Sequence, residues 1–189
     1  DGSVYIAGHT EGFGFPTLDF GSGSFYEGNY QGGDHDGFVL QFDSQCIRRW
    51  STYLGGSGYD KAFRIALGHY EEVYVTGRAG FNFPLVDPGN TYVQSYGGFS
   101  WDSFITEFDS TKSLIWSTYY GGEEDDIGKS IITDDVNTIW IAGSTFSTIF
   151  PITTNAFQPS ISGGSDIFIS KFTVDGAQRI STYYGGSQD

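Results

Sequence analysis

The stretch Trp116-Ser117-Thr118-Tyr119-Tyr120-Gly121-Gly122 decides how the rest of the chain reads, because it occurs three times. The first copy is Trp50-Ser51-Thr52-Tyr53-Leu54-Gly55-Gly56 and the last is Ile180-Ser181-Thr182-Tyr183-Tyr184-Gly185-Gly186. Ser51, Ser117 and Ser181 stand 66 and 64 residues apart. Other landmarks keep the same period. A run ending in glycine recurs as Val4-Tyr5-Ile6-Ala7-Gly8, Val73-Tyr74-Val75-Thr76-Gly77 and Ile139-Trp140-Ile141-Ala142-Gly143. A Phe-Pro pair follows each, at Phe15-Pro16, Phe83-Pro84 and Phe150-Pro151. Then come a Gly-Gly pair and an Asp-x-Phe, the latter at Asp36-Gly37-Phe38, Asp102-Ser103-Phe104 and Asp166-Ile167-Phe168. Several motifs in one register identify a repeat architecture, whose single units are too small to bury their own faces.

Glycine supplies 28 of the 189 residues, about twice its usual share. Together with Tyr, Trp, Phe, Val, Ile and Thr it is the vocabulary of short strands and tight turns. Nine Lys and Arg against 23 Asp and Glu give a net charge of −14. Nucleic acid is excluded as a partner on that ground, since its binding depends on cations neutralising phosphates, and anionic membrane surfaces are disfavoured likewise. The charge serves solubility or, in a sharper reading, a cation-binding surface. Cys46 is the only cysteine, so no intrachain disulfide exists. It falls in a predicted turn with only Arg48 and Arg49 as basic neighbours and reads as an incidental thiol. No run is long enough to span a bilayer, and no signal peptide is visible. The chain opens in mid-repeat and contains no Met, so we expect a piece of a longer polypeptide.

The predicted strands are Val4–Gly8, Phe38–Phe42 and Ile47–Leu54 in the first unit. The second has Lys61–Leu67, Glu72–Gly77, Phe104–Phe108 and Leu114–Tyr120. The third has Gly128–Thr133, Ile139–Gly143, Ile167–Phe172 and Arg179–Tyr184. No segment has a 3.6-residue period over helix length. Four short strands per unit, labelled A to D, make the pattern of a β-propeller blade. The predicted organisation is a blade lacking strand A over residues 1–59, a complete blade over 60–125, and a complete blade over 126–189 that ends at the start of the next, all within one propeller domain. Meander topology puts the tight A–B and C–D turns on one face and the long B–C and D–A loops on the other. Variable loops on a rigid scaffold are the expected place for binding.

The set Trp-Ser-Thr-Tyr-x-Gly-Gly, Tyr-x-x-Gly, Phe-Pro, Gly-Gly and Asp-x-Phe resembles the bacterial beta-propeller repeat called SBBP, over essentially the whole chain. The resemblance implies a seven-bladed propeller in a large secreted or surface-attached bacterial protein, and no common enzymatic activity. Three blades cannot close such a ring, so the remaining blades or neighbouring chains are expected as partners.

Asp36, Asp102 and Asp166 precede a Phe in every unit, and Asp60 and Asp126 follow the Gly-Gly pairs. Carboxylates at such positions accept backbone N–H groups in turns. Calcium is the alternative at the acidic run, with Glu124, Asp125 and Asp126 as its candidates; no other cofactor is expected. The Gly-Gly pairs lack the Gly-Lys-Ser/Thr of a phosphate loop. His9, His35 and His69 lack metal-ligand spacing, and the repeat serines lack a nucleophile elbow. Tyr26, Tyr30, Phe99 and Trp101 lie in long loops and are the candidates for stacking on a glycan or gripping a protein partner. The function expected is a non-enzymatic extracellular or cell-surface module for binding, adhesion or assembly. The alternatives are a glycan-active or quinoprotein-like enzyme with its site on other blades, and a repeating subunit of an extracellular filament.

Overall fold

Glycine-punctuated runs of β-branched and aromatic residues pair as strands more readily than they sustain helices. The computed structural model describes residues 2–21, 23–89, 91–98, 101–136 and 138–188. It is all-β, with eleven strands and no helix among the described residues. The strands are β1 (Val4–Thr10), β2 (Asp36–Phe42), β3 (Arg48–Leu54), β4 (Lys61–Leu67), β5 (Val73–Ala79), β6 (Asp102–Phe108), β7 (Leu114–Tyr120), β8 (Asp126–Thr133), β9 (Ile139–Thr145), β10 (Asp166–Phe172) and β11 (Gln178–Tyr184). They form three antiparallel meanders, β1-β2-β3, β4-β5-β6-β7 and β8-β9-β10-β11. The sheets are blade-like, three-stranded in the first case and four-stranded in the others.

The repeat extends to irregularities. A bulge sits at Gln41/Phe42, Glu107/Phe108 and Lys171/Phe172, and another at Ala62/Arg64 and Gly128/Ser130. The strand opened by Asp-x-Phe starts two residues earlier than the sequence predicts in the first two units and one residue earlier in the third. Asp36, Asp102 and Asp166 are themselves paired, with Thr10, Ala79 and Thr145. Their carboxylates bond back into the loop while their backbones stay in the ladder. The turn between β2 and β3 is held by Asp43 Oδ1, which accepts Gln45 N–H and Ile47 N–H at 2.9 Å each. Asp109 does the same between β6 and β7. Cys46 is exposed and takes the left-handed position of its turn, as Lys112 and Gly176 do in theirs.

The sheets stack in sequence order, with β4 against β1 and β2, and β8 against β4, β5 and β6. Alternation along each strand sends successive side chains to opposite neighbours. Val73 and Val75 join the core shared with the first sheet, whereas Tyr74 joins the core shared with the third. Val39, Trp50 and Leu54 meet Phe104 and Phe108 in the first core. Ile105, Trp116 and Tyr120 meet Phe168 and Phe172 in the second.

Candidate functional site

The Trp-Ser-Thr-Tyr motif is a clamp for the long loop that joins the second and third strands of the same unit. Each residue of the motif makes one kind of bond. Ser117 exchanges backbone bonds with Val86 at 3.1 Å, and Ser51 does so with Leu18 at 2.9 Å. Thr118 Oγ1 accepts Gln94 N–H, Thr52 Oγ1 accepts Glu27 N–H, and Thr182 Oγ1 accepts Gln158 N–H, each at 2.8 Å. Trp116 Nε1 donates to Tyr92 O at 2.8 Å and Trp50 Nε1 to Phe25 O at 3.1 Å. Tyr119 Oη accepts Phe83 N–H at 2.9 Å and donates to Gly80 O at 2.5 Å. Tyr183 does the same for Phe150 and Ser147, at 2.9 Å each. The Phe of each Phe-Pro pair then packs on the Phe of Asp-x-Phe, with centroids 4.4 to 4.7 Å apart.

These bonds tie the long loops to the sheets. They do not stand free on one face of the sheets. They run along the outer strand of their own unit and then reach the next sheet. Phe25 N–H donates to Lys112 O at 2.7 Å, and Tyr92 N–H donates to Gly176 O at 2.9 Å. The loops therefore fasten neighbouring sheets together as well as covering an otherwise unpaired edge.

The repeated aspartates sit at the junctions between sheets. Asp36 Oδ2 accepts Gln31 N–H and Asp102 Oδ2 accepts Gly97 N–H, both at 2.6 Å. Asp166 Oδ2 accepts Ser162 N–H at 2.9 Å. Asp60 accepts Gly56 N–H at 2.8 Å and Gly80 N–H at 2.9 Å. Asp126 Oδ2 accepts Gly122 N–H at 2.6 Å and the Ser147 hydroxyl at 2.9 Å. Two carboxylates straddle one glycine at each junction. A Cβ on Gly55 would lie 3.1 Å from oxygens of both Asp36 and Asp60. A Cβ on Gly121 would lie 2.6 Å from Asp126 Oδ2 and 2.7 Å from Asp102 Oδ1. Burial pushes Asp60 and Asp126 up to about 7, and Asp36 and Asp102 up to about 6. The charge of Asp36 adds to the rise at Asp60, and that of Asp102 to the rise at Asp126.

In the acidic run, the Glu123 carboxylate accepts Thr148 N–H at 2.8 Å and Ile149 N–H at 3.0 Å, while Asp125 Oδ1 accepts Trp101 N–H at 3.3 Å. Glu124 donates its backbone N–H to Ser147 Oγ at 2.9 Å. No group of three or more His, Cys, Asp or Glu side chains is placed to hold a metal ion among the described residues.

The aromatic candidates do not form one platform. Tyr26 is exposed, with its hydroxyl 3.1 Å from Thr17 Oγ1. Tyr30 packs edge-on against Phe13 and Tyr53 and donates to Gly33 O at 2.8 Å. Phe99 lies outside the described residues. Trp101 covers Arg78, whose guanidinium carbon lies 4.0 Å from its ring centroid and 4.8 Å from that of Tyr59. Tyr59 in turn meets His35 at 4.6 Å, and His35 meets His9 at 5.3 Å. Arg78, Tyr59 and Lys61 leave no mark in the pattern of what recurs. The signal lay in what does not, since the third unit has Ser144, Asp125 and Ile127 at those positions. No protein-family model matches this chain, and no curated protein matches it either.

Proposed function

We propose that this chain is a non-enzymatic β-propeller module of a secreted or cell-surface bacterial protein, working in binding, adhesion or structural assembly. One observation carries this: each end of the stack keeps an apolar face of the kind its interior buries. Trp116 and Tyr120 are fully buried, but their counterparts Ile180 and Tyr184 are 42% and 56% exposed. Val73 and Val75 are fully buried, but Val4 and Ile6 are 54% and 42% exposed. A cleft of about 440 Å³ lined by Ile132, Trp140, Ile141 and Ile169 opens on the last sheet. Exposed apolar faces of this kind mark a surface for a partner. The partner here is a further blade of the same repeat, from the same polypeptide or a neighbouring chain, and the SBBP-like motifs favour a ring of seven. The repeated Trp, Ser, Thr, Tyr and Asp side chains are engaged in holding loops, which supports scaffold over catalyst.

Sedimentation of the 189-residue chain over a range of concentrations tests this. End-to-end association is expected, and Ile132→Asp combined with Tyr184→Asp abolishes it. A chain that stays monomeric at hundreds of micromolar, or a variant that associates as the parent does, counts against the proposal.

A further inference from the structure

Four of the nine Lys and Arg residues, Lys61, Arg64, Arg78 and Lys129, lie on β4, β5 and β8. The ion pairs among the described residues are His35–Glu11 and Arg49–Asp43, so none of the four is paired with a carboxylate. None belongs to the repeat either. The third unit has Ile127, Ser130 and Ser144 where the second has Lys61, Arg64 and Arg78, and the second has Phe63 where the third has Lys129. A residue that builds a sheet of this type recurs, and these do not.

Their placement is unfavourable in isolation. Lys61 and Arg78 stand directly opposite in the β4–β5 register, where like charges repel. Tyr59 lies under both cations, at 5.1 Å from Lys61 Nζ and 4.8 Å from the Arg78 guanidinium, which offsets part of the repulsion. Arg78 Nε is buried with no hydrogen-bond partner. Phe63 connects this cluster to a cleft. Its ring meets His9 edge-on at 6.3 Å. It also lines, with Arg64, Ile127 and Lys129, a space of about 330 Å³ where β4 packs on β8.

We propose that this basic, aromatic-lined groove along β4 and β8 binds a carboxylate-bearing saccharide, an oligomer of uronic acid type. The proposal rests on the reading of the chain as a binding module and adds the ligand class. Lys61 and Arg64 flank the Ala62/Arg64 bulge of β4, opposite Arg78 and Thr76, so they stand two ladder positions apart on one face, about 7 Å, which suits carboxylates spaced along an oligomer better than a single small anion. A guanidinium matches a carboxylate in a two-pronged pair. Phe63, which lines the cleft, offers its apolar ring to the sugar, and Tyr59 holds the cations beside it. The net charge of −14 opposes anions of high charge density such as nucleic acid.

The test is a titration of the 189-residue chain with trigalacturonic acid at low salt, followed by chemical-shift changes. A neutral trisaccharide of galactose and a triglutamate peptide are the controls. The expected result is selective binding of the trigalacturonate with shifts on β4, β8 and Tyr59. Arg64→Gln combined with Lys129→Gln, both exposed positions, weakens it at least tenfold. Absence of binding, equal affinity for the neutral sugar, tighter binding of the peptide, or unchanged affinity in the double variant overturns the proposal. End-face association is measured separately and survives any of these outcomes, so the two readings fail independently.

Discussion

Asp102 and Asp126 share one glycine-sized space, and the pair sets how the fold responds to pH. Burial raises Asp102 to about 6 and Asp126 to about 7, and the first pair, Asp36 and Asp60, is raised likewise. Glu107, raised by burial to about 7, behaves in the same way. A carboxyl whose folded pKa lies above its unfolded value of about 4 contributes stability that is complete below pH 4 and is lost as pH climbs through 6 to 7. Asp43 and Asp134 run the other way. Backbone N–H donors hold both low, Asp134 near 2, so their contribution is lost only as pH falls below about 4. Stability is therefore expected to peak near pH 4 and decline until about pH 7, where these carboxyls are ionised in the folded state as well. Asp102→Asn keeps an acceptor for Gly97 N–H and removes one titrating member. The slope of unfolding free energy between pH 4 and 6 should fall by up to about 1.4 kcal/mol per pH unit. Urea unfolding at each pH measures it. A parent protein whose stability rises over that interval, or a variant with the parent's slope, contradicts the assignment.

At the scale of elements, the strands were legible in the sequence and the course of the long loops was not. Val73-Tyr74-Val75-Thr76-Gly77 reads as a strand because every residue in it suits a pleated, buried surface and glycine ends it. Trp116-Ser117-Thr118-Tyr119 reads as a strand equally well, which is correct but incomplete. Its side chains bond to residues 24 to 39 positions away, and no local pattern encodes such a distance. The recurrence of Ser and Thr at buried positions was the available hint, since a buried hydroxyl needs a partner. Tyr119 and Tyr120 illustrate the same gap. The first holds its own unit's loop, while the second reaches Ser170 at 2.6 Å and Ser181 at 2.8 Å in the next sheet. Thr118→Val isolates the clamp. It leaves Gln94 N–H without its acceptor, at a cost of about 1 to 3 kcal/mol. Hydrogen exchange should quicken at Phe83 and Gln94, while Val75 and Ile105 continue to follow global unfolding. Unchanged exchange at Gln94, or equal acceleration throughout the sheet, would mean that the loop is held by something else.

For the whole molecule, the period told which residues are equivalent, and only the stacking told what each equivalent residue meets. Val39, Ile105 and Ile169 occupy one repeat position, directly after the Phe of Asp-x-Phe. Val39 and Ile105 are fully buried between sheets, whereas Ile169 lines the open cleft of the last one. The same substitution therefore has different costs in one chain. Ile105→Ala removes packing on both sides of a filled junction and should destabilise by about 2 to 5 kcal/mol. Ile169→Ala borders solvent and should cost within about 1 kcal/mol in the dissociated chain. Covering the last face with a further blade fills the space beside Ile169, so the two costs should converge in the assembled protein. Denaturant midpoints of both variants, taken below and above the association concentration, separate the cases. Equal costs in the monomer would mean that Ile169 is already packed from within. A gap that persists on assembly would mean that the partner docks elsewhere than on the face of β8 to β11.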